Sequence, residues 1–170
     1  MKKRLQPEFD LAFEDANEST GFLFWQLNNV WQRRMKSVFD LVGLTHVQYL
    51  LLNSLATMNK NMDKPINQSL LSEHSGCDKM MVSKVIRTME SNKLVIRKAH
   101  HSDSRSNSIL LTQKGMEQLK QATLLFQEAE SEFFKPLKGN KKDVEKRVKK
   151  LIKQAKKKDK SDAEDESDAD

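Results

Sequence analysis

The sequence holds one cysteine, three prolines, five glycines and 6% aromatic residues, and each shortage excludes a class of protein. A single cysteine cannot build an internal disulfide framework. Five glycines and three prolines among 170 residues disfavour a sandwich or barrel and point to a helix-rich chain. That length suits one domain, or a small module with helical extensions. No apolar run approaches the roughly 18 residues of a membrane span. Residues 1–4 resemble the basic start of an export signal. Where the apolar core of a signal would follow, however, stand Pro7, Glu8, Asp10, Glu14 and Asp15. A cytoplasmic protein without membrane association is therefore expected. Also missing are a nucleophile paired with a base, a phosphate-binding glycine loop and a metal-ligand cluster, so no enzyme, cofactor or metal site is expected.

What the chain does have is charge, unevenly placed. The formal net charge is +6, yet residues 159–170 carry seven acids and one lysine, which leaves the first 158 residues at +12. A strongly basic body seeks polyanions, because lysines and arginines that neutralise phosphates release condensed counterions. The acidic end has almost no apolar content to pack and is expected to be disordered. Folded back, it would compete with DNA for the twelve basic residues of segment 138–160.

Hydrophobic spacing predicts mainly α structure. Phe24, Leu27, Trp31, Met35 and Val38 fall at steps of three and four on one stripe of a long first helix. Gly43 ends it, and Thr45 caps a second helix that buries Val47, Leu50, Leu51, Leu55 and Met58. A short helix over about 68–74, a turn over 75–78 and a helix from Lys79 to about Asn92 follow. The period then changes to two short strands, 94–99 and 108–111, around a projecting loop at 100–107. Thr112 caps a long helix whose Leu119, Ala122, Phe126, Ala129 and Phe133 make a narrow seam suited to another helix. Pro136 and Gly139 interrupt, and a last helix runs from Asp143 to about Lys157.

Residues 67–115 carry the most specific chemistry. In the helix from Lys79, Val82, Val85, Ile86 and Met89 cluster on one side, while Met80, Ser83, Lys84 and Arg87 occupy the other. Asp78 is a good N-cap, and Gly76 supplies the backbone freedom that a sharp helix-turn-helix corner requires. Lys84 and Arg87 suit guanine edges or phosphates, Ser83 suits either, and Met80 suits a thymine methyl. In the following loop Asp103 and Arg105 stand two apart, a spacing at which a carboxylate can brace a guanidinium for the minor groove.

In these elements the chain resembles the MarR family of winged helix-turn-helix transcription regulators. The resemblance rests on Leu44-Thr45-x-x-Gln48-x-x-Leu51-Leu52 and Met81-Val82-Ser83-Lys84-x-Ile86. It also rests on Glu90-x-x-Lys93-Leu94-Val95-x-Arg97, Asp103-x-Arg105 and Leu111-Thr112-x-Lys114-Gly115. By motif it covers roughly residues 41–115, and by helix layout most of the chain to Ala155. It implies a mainly α fold with a small β-hairpin wing and N- and C-terminal dimerisation helices. It also implies a homodimer on a pseudo-palindromic double-stranded operator, with Arg105 in the minor groove. The expected division is a helical dimerisation segment over 1–44, a winged helix-turn-helix domain over 45–111, C-terminal dimerisation helices over 112–158 and the acidic tail. The function expected is that of a sequence-specific regulator, a repressor released by a small-molecule or redox signal. The rival is a nonspecific architectural or protein-interaction module with the same fold.

Several residues carry two readings. Cys77, near Lys79 at a helix start, suits a redox sensor or a small apolar plug of the turn. His74, His100 and His101 lack the partners of a metal cage and read as polar surface. Phe22, Phe24, Trp25, Trp31, Phe39 and Tyr49 either line a cavity for a small apolar or aromatic effector, which the resemblance implies, or form ordinary packing.

Overall fold

The computed structural model describes residues 16–61, 65–100 and 103–167, with the side chains of 99–107 and 160–167 outside the description. Among these residues lie α1 (Thr20–Asp40), α2 (His46–Asn61), α3 (Gln68–Ser75), α4 (Lys79–Ser91), β1 (Val95–His100), β2 (Asp103–Leu111), α5 (Gln113–Phe133) and α6 (Lys141–Ser167). Short 3-10 turns occupy Ala16–Glu18 and Lys135–Asn140. The chain divides into two units, Met1–Ala129 and Glu130–Asp170.

Local sequence sets most of the helix ends. Ser19 caps α1, accepting from the Phe22 amide at 3.3 Å. At α2 the Thr45 hydroxyl accepts from the Gln48 amide (3.2 Å) while the Gln48 side chain accepts from the Thr45 amide (2.8 Å). This reciprocal box satisfies two amides that the helix cannot, and it accounts for the Thr45-x-x-Gln48 spacing. At the far end of α4, the Lys93 amide donates to the Glu90 carbonyl (2.9 Å) and the Leu94 amide to the Met89 carbonyl (2.8 Å). That pair of bonds is a Schellman closure. It holds Lys93 at φ +60°, a left-handed conformation costly for a lysine.

In the first unit one core collects the buried faces of every element. Met35 and Phe39 of α1, Leu51, Leu52 and Leu55 of α2, Leu71 of α3, and Val82, Ile86 and Met89 of α4 are fully buried. Val95 and Ile109 enter from the wing, and Leu119 and Ala122 from α5. Each such aliphatic or aromatic side chain contributes on the order of 1.5–3 kcal/mol when buried. The seam of α5 is therefore occupied within the chain over Leu119–Phe126. Phe126 lies 5.1 Å from Tyr49 and 6.0 Å from Trp31, and Tyr49 stacks on Phe39 at 4.6 Å. His46 stacks on Phe39 at 5.5 Å, and burial lowers its pKa.

Burial fades along α1. Met35 and Phe39 are covered, whereas Leu23, Phe24, Trp25, Leu27 and Val30 are exposed. The stripe predicted from Phe24 to Val38 thus packs only in its second half. Phe22 and Trp25 stack on each other at 5.7 Å and stand apart from the Phe39 cluster. In the second unit, Phe134, Leu137, Val144, Val148 and Ile152 line a groove of about 330 Å³, and Leu151 and Ile152 remain about half exposed.

Two expectations are corrected. The segment placed in a loop at 100–107 is largely strand, because β2 begins at Asp103. The antiparallel register runs from Val95↔Leu111 to Ala99↔Asn107, then shifts so that His100 faces Asp103. Residues 103–108 are all polar or charged, so the sequence there has no alternation of apolar and polar residues to mark the strand. The acidic end, expected to be disordered from 159, continues α6 through Ser167. Lys160, Ala163, Glu164 and Glu166 in this stretch are good helix formers, and Lys160 stands four residues before Glu164, a favourable i,i+4 spacing of opposite charges. Residues 168–170 lie outside the described residues. Other boundaries move by a residue or two: α3 includes Ser75, β1 starts at Val95 and α6 starts at Lys141.

The start of α5 is fastened to the end of α4. The Thr112 amide donates to the Leu94 carbonyl (3.1 Å), and its hydroxyl donates to the Lys93 carbonyl (2.7 Å) while accepting from the Gly115 amide (3.0 Å). Lys114 reaches the Asn92 carbonyl at 3.0 Å. A Cβ on Gly115 would overlap the Leu94 carbonyl oxygen and lie 3.0 Å from its carbon. Gly115→Ala should therefore destabilise the protein by about 1–3 kcal/mol, read as a lower Tm and a lower denaturation midpoint. Because the folded state lowers the His46 pKa, stability should fall as pH drops below about 6.5 and go on falling down to the depressed native value. His46→Gln should flatten that part of the profile in thermal melts across pH 5–8.

Candidate nucleic-acid interface

The corner between α3 and α4 is built by side chains competing with water for backbone groups. Asn67 caps α3 through the Leu70 amide (2.9 Å). Gly76 closes the helix at φ +70°, its amide on the Ser72 carbonyl (2.9 Å). A Cβ there would meet nothing within 4 Å, so glycine is favoured by the left-handed backbone and not by crowding. The Ser72 hydroxyl then donates to the Cys77 carbonyl (2.6 Å). One Asp78 carboxylate oxygen accepts from both the Met80 and Met81 amides (2.8 and 3.1 Å). These hydrogen bonds fix where α4 begins and which way its sides face.

The two faces of α4 separate as its spacing predicts. Val82, Ile86 and Met89 are fully buried, and Val85 packs beside them. On the opposite side Met80 is 82% exposed, Lys84 and Arg87 are exposed, and Ser83 is half-buried at the margin. Lys79, Met81 and Thr88 are exposed as well, and sequence reasoning gave them no part in the reading face. Thr88 uses its hydroxyl on the Lys84 carbonyl (3.3 Å). The exposed side thus offers long flexible cations and a thioether around a small hydroxyl, a set that can engage phosphates, base edges and thymine methyls.

A strut joins this helix to the wing. The Arg97 Nε of β1 donates to the Glu90 carboxylate at 2.8 Å, which holds the Glu90 pKa below, and the Arg97 pKa above, their usual values. Both residues stand in the sequence motif, but the pairing joins a helix to a strand, and no periodicity announces it. A second tie comes from the Ile109 amide, which donates to the Ile66 carbonyl (2.8 Å) and attaches β2 to the segment before α3. Asp103 and Arg105 lie in β2, and their side chains, with any carboxylate–guanidinium contact, lie outside the described residues. Lys98, paired with Ser108 across the ribbon, is exposed.

The other candidates separate by environment. Cys77 is half-buried and packs on the core, as a plug of the turn would. His74 is exposed, and the side chains of His100 and His101 are outside the described residues. Among the described residues, no three His, Cys, Asp or Glu side chains gather where they could hold a metal. No described helix is long and apolar enough to cross a membrane.

Comparison with known proteins agrees with this geometry. A model of the MarR family matches residues 44–106, from the capping box of α2 into the wing. The HTH-type transcriptional regulator YdcH of Bacillus subtilis is 33% identical over 127 residues, which cover 75% of this chain and 86% of the relative. Among solved structures, S. aureus MepR in complex with DNA aligns at a TM-score of 0.71 and 18% identity, covering 83% of this chain and 99% of that one. PcaV of Streptomyces coelicolor in complex with its natural ligand aligns at 0.70 and 18% identity, covering 85% and 99%. At those identities the structural likeness is one of fold, whereas the relationship to YdcH extends to sequence. The chain is a DNA-binding transcription regulator with a winged helix-turn-helix, and it belongs to the MarR family.

Proposed function

We propose that the chain acts in the cytoplasm as a homodimeric repressor of a pseudo-palindromic double-stranded operator. The observation that carries the reading is the exposed side of α4: Met80, Ser83, Lys84 and Arg87 stand opposite a face that is locked into the core, on a helix whose start is fixed by Asp78. A rigidly seated helix with a polar, cationic outer face meets the requirements for major-groove readout. Asp103 and Arg105 of β2 then flank it toward the minor groove.

Two stretches of uncovered apolar surface support the dimer. Leu23, Phe24, Trp25 and Leu27 on α1 and Val144, Leu151 and Ile152 on α6 are exposed in the single chain, and burying them against a second copy removes that surface from water. Two-fold pairing places the α4 helices on successive half-sites about one helical turn apart. A small change in their separation then costs much of the specific affinity. The ring cluster of Trp31, Phe39, Tyr49 and Phe126, with His46 against it, supports release by a small apolar or aromatic effector. It joins α1, α2 and α5 next to the core on which α4 sits.

Selection of bound fragments from random duplex DNA tests the reading. Recovery of a two-fold symmetric site, bound at least about a thousandfold tighter than random duplex, is the expected result. Equal affinity for all sequences would identify a nonspecific architectural protein instead. On the selected site, Arg87→Ala should cost about 1–3 kcal/mol and relax the preference at one base pair per half-site. Arg105→Ala should weaken binding most where the flanks are A·T-rich. Arg97→Ala should lower affinity without altering base preference, since it frees the wing and leaves α4 in place. The same loosening is expected in the parent protein under acid, as pH falls through the depressed Glu90 value, and it should be missing from the variant's pH profile.

A further inference from the structure

Along α6 the lysines are arranged and not merely abundant. At 100° per residue, Val144, Val148, Leu151 and Ile152 form one stripe, and Val148 and Ile152 line the groove with Phe134. Across the helix axis from that stripe run Lys142, Lys146, Lys150, Lys153 and Lys157, with Lys149 at the edge of the band where it also lines the groove; all six are exposed, in a band about a third of the circumference wide. No acid falls inside the band. Asp143, which pairs with Arg147 at 2.7 Å, lies outside it, as does Glu145. Among the described residues no hydrogen bond or ion pair is found for those six ammonium groups.

Spacings of three and four make these lysines neighbours. Like charges at i,i+4 weaken an isolated helix by about 0.2–0.5 kcal/mol per pair. A band that repels itself over about four turns, some 22 Å, is relieved by a polyanion laid along it. A duplex backbone offers one charge per roughly 1.7 Å of axis, dense enough to meet every lysine. The chain's own acidic end does not supply this relief within one helix, because α6 continues straight into it through Ser167 and a continuous helix cannot fold back on its own side.

We propose that the lysine band of α6 is a second phosphate-binding surface. It engages the backbone of duplex DNA without reading sequence, and it is made of residues other than those of α4 and the wing. The proposal rests on the DNA-binding role above and adds to it a surface outside the winged domain. It predicts that part of the protein's salt-dependent affinity resides in α6.

The test is a salt titration of full-length protein on random-sequence duplex, comparing the parent with a variant carrying Lys146→Gln, Lys150→Gln, Lys153→Gln and Lys157→Gln. Glutamine keeps helix propensity, and none of the four residues lines the groove. Each phosphate that the variant leaves unneutralised should reduce the slope of log K against log salt by about 0.9. The expected result is a slope shallower by about 2 or more per protomer and at least tenfold weaker binding near 50 mM salt. Arginine at the same four positions should restore both. Unchanged slope and affinity in the glutamine variant, with the parent binding duplex, would overturn this inference and leave the role of α4 intact. Failure of the parent to bind duplex at any salt would overturn both. If the glutamine variant instead loses low-salt self-association in sedimentation, with DNA binding unaltered, the acidic segment of a second copy occupies the band and the proposal fails.

Discussion

The carbonyl of Leu94 is where the DNA-binding machinery is joined together. The residue's amide closes the end of α4 on the Met89 carbonyl, its oxygen receives the Thr112 amide, and the first turn of α5 lies so close over that oxygen that only glycine fits at position 115. The α4 helix, the wing that follows and the long α5 helix therefore meet at the backbone of one residue. Shifting any of them breaks a hydrogen bond in a partly buried place, where an unmade bond costs on the order of 1–3 kcal/mol. The left-handed lysine at 93 is tolerated because this junction holds it from both sides, through the Glu90 carbonyl and the Thr112 hydroxyl.

From that junction outward, rigidity is graded. The buried side of α4 is continuous with the core of α1, α2 and α5, so its outer side is presented at a fixed angle. The wing is held at its base by Val95, Ile109 and the Glu90–Arg97 strut, and beyond Ala99 the register slips. Among the described residues, α4 is thus seated on the core along its whole buried side, and the wing is tied at its root. The first half of α1 stands outside this centre, with Leu23, Phe24, Trp25, Leu27 and Val30 exposed.

The fold is legible in the sequence where one side of an element is apolar and the other is not. The α4 faces, the Thr45–Gln48 box, the Asp78 cap and the Gly76 corner follow from local spacing, because each is decided within four or five residues. The wing reads as shorter than it is because residues 103–108 are all polar or charged, and a strand without apolar residues leaves no period of two in the sequence. The acidic end reads as disordered on composition, although charged residues with good helix propensity continue a helix that is already nucleated. Met80, Lys84 and Arg87 stand on the open side of α4 as their spacing implies, with Ser83 nearer the margin than expected.

By itself the sequence determined the family, the order of helices and wing, the buried and exposed sides of α4 and the reversal of charge near residue 159. These depend on neighbours in the chain, or on motifs short enough to be recognised. Only the tertiary structure decided that Gly115 is required by the Leu94 carbonyl, that Glu90 holds Arg97, and that Phe126 completes a ring cluster with residues of α1 and α2. It also decided that α1 is packed in one half and bare in the other. Such facts join residues from different elements, and local periodicity carries no record of which surfaces meet.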